Sequence, residues 1–132
     1  MILLDTHVWI WWASDPARLS GRAISALERA EEAGGPVYLS AISTWEVAML
    51  VTKGRLELTL PVEDWIAHSE EVPFIEFVPV TSHLALRSVT LPGFEHPDPA
   101  DRLIVATARY LGVPLITRDR KLHEYPHVST MW

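Results

Sequence analysis

Four carboxylates stand where short apolar runs give way to helix-forming stretches. Asp5 closes "ILLD", Glu46 follows "VYLS" within "STWE", Asp101 falls in "HPDPADRLIVATA", and Asp119 comes just after "VPLIT". Carboxylates gathered in one place repel and raise one another's pKa unless a cation sits among them. The chain has no cysteine and no paired-histidine motif, so its oxygen donors favour a hard ion, Mg²⁺ or Mn²⁺. Divalent ions held by carboxylates activate water and clamp a phosphate for in-line attack.

Each acid also has a purely structural reading. Asp5 suits the N-cap of a helix beginning at Thr6. Ser43-Thr44-Trp45-Glu46 fits a capping box, with Glu46 reaching back to the Ser43 N–H. In Asp98-Pro99-Ala100-Asp101, Asp98 suits the cap, Pro99 the first helical position, and Asp101 the helix dipole. Asp119 suits a turn. Both readings stand for any one acid alone. Capping does not explain why all four fall at the same kind of junction.

The elements that must position these acids alternate along the chain. Strand-like runs "ILLD", "PVYLS", "FIEFVPV", "VPLIT" and "HVSTM" are separated by helical stretches. These are "THVWIWWAS", a Ser-capped "SGRAISALERAEEAGG", "STWEVAMLVTKG" from Ser43 to the Gly54 stop, "VEDWIAHSEE", "TSHLALRSV", and a helix from about 99 to 111. Short unalternated strands between helices of about ten residues point to βαβ units, a parallel sheet and an α/β fold. In such sheets sites form at the carboxyl ends of the strands. All four acids lie there.

The totals fit one domain spanning residues 1–132, long enough to bury a core. The N-terminus "MILLDTHVWIWW" lacks a basic n-region, and no apolar run reaches the roughly 18–20 residues of a membrane span, so a cytoplasmic protein is expected. Net charge is −6, which argues mildly against a generic nucleic-acid coat. The charge is unevenly spread: residues 1–99 carry −8 and residues 100–132 carry +2. Arg102, Arg118, Arg120 and Lys121 flank two of the acids and are candidate phosphate contacts; solvated charges at helix starts are the plain alternative. His7, beside Asp5, reads first as a locally packed helix-start residue. Trp9, Trp11 and Trp12 cannot all face one way, so core and partner contact are expected of them.

The segments "LLDTHVWIWW", "LSAISTWEVAMLVTKGRLEL", "HPDPADRLIVATARYLGVPLIT" and "TRDRKL" resemble, in order and spacing, those of PIN-domain proteins. They are most similar to the toxin ribonucleases of VapBC-type toxin–antitoxin pairs. The resemblance runs from residue 2 to about 130. It implies a PIN-like single domain with a central parallel β-sheet flanked by helices. It also implies a Mg²⁺- or Mn²⁺-dependent endoribonuclease acting on RNA and inhibited by a small protein antitoxin; six tryptophans, more than one small core easily absorbs, lead us to expect a homodimer. By position, Asp5, Glu46, Asp101 and Asp119 match the family's acidic residues. Thr6, Ser43 and Thr117 match polar positions beside them, and Asp98 is the cap with a supporting role. The rival readings are a non-catalytic PIN-like protein-binding domain and a metal-dependent phosphohydrolase of a small phosphate ester. The latter is disfavoured by the absence of a Gly-rich phosphate loop.

Overall fold

The computed structural model describes all residues, Met1–Trp132. Five parallel strands, β1 (Ile2–Leu4), β2 (Val37–Ser40), β3 (Ile75–Val78), β4 (Leu115–Ile116) and β5 (Thr130–Met131), form one sheet in the order β3-β2-β1-β4-β5. The helices between them are α1 (Thr6–Ser14), α2 (Gly21–Glu32), α3 (Ala41–Thr52), α4 (Val62–Glu70), α5 (Ser82–Val89), α6 (Pro99–Leu111) and α7 (Arg120–Glu124). From β1 the chain builds outward through β2 and β3, then crosses back to lay β4 on the other side of β1. That reversal opens a crevice beyond the carboxyl ends of β1 and β4, the usual ligand position in an open parallel sheet.

Successive side chains of a strand point to opposite faces, and β1 divides the core accordingly. Ile2 and Leu4 join Val37, Leu39 and Ile116 against α1 and α2, whereas Leu3 joins Leu115 against α6. Leu3 pairs with Leu115 and Leu4 with Ile116, which keeps the two layers in register. Burial on both faces explains why these runs read as continuously apolar.

Most helix ends follow the sequence signals. Ser20 accepts a hydrogen bond from the Ala23 N–H at 3.0 Å, and Asp98 accepts one from Asp101 N–H at 3.0 Å. Helix α6 runs from Pro99 to a left-handed Gly112 at φ 67°, a backbone conformation that glycine adopts without steric cost. Helix α3 departs from expectation. It starts at Ala41 rather than Ser43, because Ser40, the last residue of β2, accepts from the Ile42 N–H at 3.2 Å and takes the cap itself. Ser43 is thereby a fully buried residue inside the helix, and Glu46 lies beyond the first turn. The Ser43–Glu46 capping box does not form. No helix is long and apolar enough to cross a membrane.

Candidate active site

Asp5 and Asp119 stand where strand meets helix, and Glu46 lies in the helix that directly follows β2; Asp101 does not match the expected strand end, because α5 and a loop, not a strand, precede α6. Asp5 ends β1 and caps α1, its Oδ1 accepting from the Thr6 N–H at 2.8 Å. Asp119 follows β4 and caps α7, accepting from the Lys121 N–H at 2.9 Å. Asp101 lies in the first turn of α6, behind the Asp98 cap. Glu46 reaches the same place from the second turn of α3. All four, with Asp98, His7 and Arg118, line one cleft of about 390 Å³ at the crevice between β1 and β4. A larger cavity of about 500 Å³ lies elsewhere, among α1, α4 and β3, and it is mostly apolar. Only the smaller cleft holds the carboxylate cluster. Capping and clustering are therefore compatible: Asp5 and Asp119 cap helices from within the group.

Hydroxyls tie the acids to the sheet. Thr117, fully buried at the end of β4, donates to Asp5 Oδ2 at 2.7 Å and accepts from the Asp119 N–H at 3.0 Å. One side chain thus links two acids that belong to different strands. Thr6 donates to Glu46 Oε1 at 2.5 Å. Having one hydrogen to give, it must accept from Ser43, whose oxygen lies 2.8 Å away. Ser43–Thr6–Glu46 is therefore a directed chain ending on a carboxylate.

The electrostatics suit a site that can hold a cation. Burial pushes the Asp5 carboxyl above its usual range, opposed by the Thr117 and Thr6 hydrogen bonds. Burial also pushes Glu46 up to about 7, with the charges of Asp5, Asp101 and Asp98 adding to the effect. Asp101 is pushed up to about 6, again mainly by burial, while His96 opposes the rise. Three acids reluctant to ionise beside one another are what a divalent cation would compensate. The donor chemistry agrees. Asp101 and Asp119 each present an oxygen within 4.8 Å of the other, with His96 beside them, and Asp5 and Glu46 line the same cleft as both acids.

His96 is the residue that sequence reasoning passed over. Its Nε2 lies 2.6 Å from Asp101 Oδ2, and both side chains are largely buried. The signal was a histidine five residues ahead of an acid that was already singled out. A preceding loop gave no reason to fold it back.

The basic candidates separate. Arg102 is not a phosphate contact. It donates to the carbonyls of Ser88, Val89, Phe94 and His96, at 2.7 to 3.1 Å, and so staples the segment before α6. Four of its five N–H groups are thereby used. Arg118, Arg120 and Lys121 are exposed. Arg118 lines the cleft, Arg120 pairs with Glu124 at 3.2 Å, and Lys121 begins a neighbouring depression beside His96. Arg18, unmarked in the sequence, lies 4.8 Å from the centre of the Trp11 ring, which Arg118 also approaches at 5.9 Å. Of the tryptophans of α1, Trp9 and Trp11 are core residues and Trp12 is half-buried.

Comparison with known proteins gives concordant results. Residues 2–128 match the PIN domain family. Ribonuclease VapC22 of Mycobacterium tuberculosis is 41% identical over 133 residues, covering 99% of this chain and 98% of that protein. VapBC2 from Rickettsia felis, solved bound to a DNA fragment from its promoter, superposes with a TM-score of 0.76 at 16% identity, over 100% of this chain and 99% of that one. FitAcB from Neisseria gonorrhoeae superposes with a TM-score of 0.67 at 25% identity, over 100% and 97%.

Proposed function

The chain belongs to the PIN-domain family, and on that premise we propose that it is an endoribonuclease toxin, dependent on Mg²⁺ or Mn²⁺ and restrained by a small protein antitoxin. The observation that carries the reading is the single cleft in which Asp5, Glu46, Asp101 and Asp119 converge, three of them with raised pKa. The likeness to ribonuclease VapC22 over nearly the full length of both chains supports RNA as the substrate.

Asp5, Asp101 and Asp119 would hold the divalent ion, with Glu46 completing the oxygen set. When bound, such an ion lowers the pKa of water and offsets charge on the phosphate. The protein's own groups do the rest. Thr117 fixes the Asp5 carboxylate, so its position is set by β4 as well as β1. Glu46 Oε1 is held by Thr6, which leaves Oε2 to accept the proton of an attacking water. Arg118, exposed at the rim, offers a cation to the phosphate backbone without entering the acid cluster.

The larger apolar cavity supports the antitoxin. Trp12, Leu60, Trp65 and Phe74 line it between α1, α4 and β3, away from the acids. Of the tryptophans expected to make partner contact, only Trp12 is half-buried here; Trp9, Trp11 and Trp65 serve the core. Self-association would draw on exposed Leu86, Val89 and Tyr110 of α5 and α6.

The test is cleavage of total RNA by the purified chain, with Mg²⁺ or Mn²⁺ and with excess EDTA, in the presence and absence of the co-encoded small protein. Cleavage that needs the ion and is silenced by the partner is expected. Full activity in chelator, with bound metal excluded by elemental analysis, would overturn the metal dependence. Absence of RNA cleavage under all conditions would overturn the assignment.

A further inference from the structure

His96 is held from three sides. Its Nε2 lies 2.6 Å from Asp101 Oδ2, its carbonyl accepts from Arg102 at 2.9 Å, and its ring meets Phe94 edge-on at 5.8 Å. Consecutive residues of α6 therefore grip one histidine, Asp101 by its side chain and Arg102 by its main chain. If the histidine served only to close the loop, the side-chain contact would be redundant. Arg102 already binds the carbonyls of both Phe94 and His96.

We propose that His96 is a positioning residue for Asp101, donating from Nε2 to Oδ2 so that the carboxylate is fixed in the orientation the divalent ion requires. The inference rests on the metal centre argued above. A carboxylate oxygen only accepts, so the shared hydrogen belongs to Nε2. A ring nitrogen that carries a hydrogen for a carboxylate has no in-plane lone pair for a metal, so through Nε2 His96 acts on Asp101 rather than as a ligand. This sets it apart from Asp119, which shares the cluster as an oxygen donor. Without the imidazole, Asp101 would keep no side-chain donor and would lie among Asp5, Asp98 and Glu46 free to rotate. Residues that orient metal ligands in this way are worth about 10- to 100-fold in metal affinity.

The test is calorimetric titration of Mn²⁺ into the metal-free full-length protein, its His96→Ala variant and its His96→Gln variant, whose amide nitrogen reaches the place of Nε2. Native-like affinity in His96→Gln and a loss of about 10- to 100-fold in His96→Ala are expected. Electron spin-echo spectra of the Mn²⁺-loaded unmodified protein provide a second arm that needs no stable variant for its first reading. They should show no nitrogen bound to the ion. Equal affinity in all three proteins would overturn the proposal. So would a bound-nitrogen signal that vanishes in His96→Gln, because it would make His96 a ligand. If the unmodified protein binds no Mn²⁺, the metal centre itself falls and the role of His96 with it.

Discussion

Thr6 Oγ1 lies 2.5 Å from Glu46 Oε1, joining the first residue of α1 to the second turn of α3. The contact fixes a carboxylate whose own helix offers it no partner. It also gives Ser43 a role that its position in the chain concealed, as the donor that leaves the Thr6 hydrogen free for Glu46. Thr6→Val keeps the shape and removes both bonds. The metal-free protein should lose about 1–3 kcal/mol, the cost of stranding a buried polar group. Denaturant unfolding of the two proteins in chelator measures it, and an unchanged midpoint would show that Glu46 does not depend on Thr6.

The raised carboxyl groups give the metal-free protein a defined pH dependence. Glu46 moves from an ordinary 4.5 to about 7, and Asp101 from 3.8 to about 6. The folded state therefore binds these protons more tightly than the unfolded chain does. Their contribution to stability is full below about pH 4 and is lost as pH rises through 6 and 7. An added divalent ion competes with those protons, so its stabilising effect should grow over the same window. Melting curves at pH 5 and 7.5, in chelator and in Mg²⁺, test both statements. A chelated protein whose melting temperature rises between those two values would contradict the first.

Asp101→Asn removes charge while leaving the Asp98 cap in place. Stability in chelator should hold or rise, because repulsion with Asp5 and Asp98 is relieved. The gain on adding Mg²⁺ should shrink, and RNA cleavage should fall by orders of magnitude. Asp98→Asn is the comparison: Asn caps about as well as Asp, so stability and cleavage should both change little. A fully active Asp101→Asn would reduce Asp101 to a helix-terminus residue.

Arg102 and Arg118 should fail in opposite ways. Arg102→Met strands four carbonyls and should cost at least about 2 kcal/mol, four hydrogen bonds at about 0.5 kcal/mol or more each. Arg118→Gln should leave stability within about 0.5 kcal/mol. Its effect should be on RNA binding, which would weaken and lose about one unit of salt dependence. Thermal melts and filter binding over a salt series, in the Asp101→Asn background, separate the two. An Arg118→Gln protein with an unaltered salt slope would remove Arg118 from the RNA path.

The sheet, the helix order and the convergence of the four acids on one cleft were legible from local signals: apolar runs buried on both faces, caps, and stop residues. The bounds of α6 follow from Asp98, Pro99 and Gly112 alone. Helix α3 was misread because two serines three residues apart both suit a cap. The choice between them depends on where β2 ends, and that is set by pairing with β1 and β3. Arg102 and His96 were misjudged or missed for a related reason. Their contacts depend on the path of the loop between α5 and α6, which carries Phe94 and His96 and which no periodicity reveals. Charge next to an acid suggested an arm for phosphate, whereas the fold uses it to hold carbonyls.

The hydrogen bond from Thr117 to Asp5 spans 112 residues of chain, and it gives the cleft a place in time as well as in space. A nascent chain makes Asp5 almost at once. It makes Thr117 and Asp119 only near the end of synthesis, roughly 6–22 s later at about 5–20 residues per second. Until β4 docks against β1, Asp5 has no Thr117 and the cleft has one wall missing. An incompletely synthesised chain therefore carries an unfinished site. Premature termination before β4, or loss of the C-terminal segment, yields fragments that lack Asp119 and in which Asp5 has no Thr117 partner.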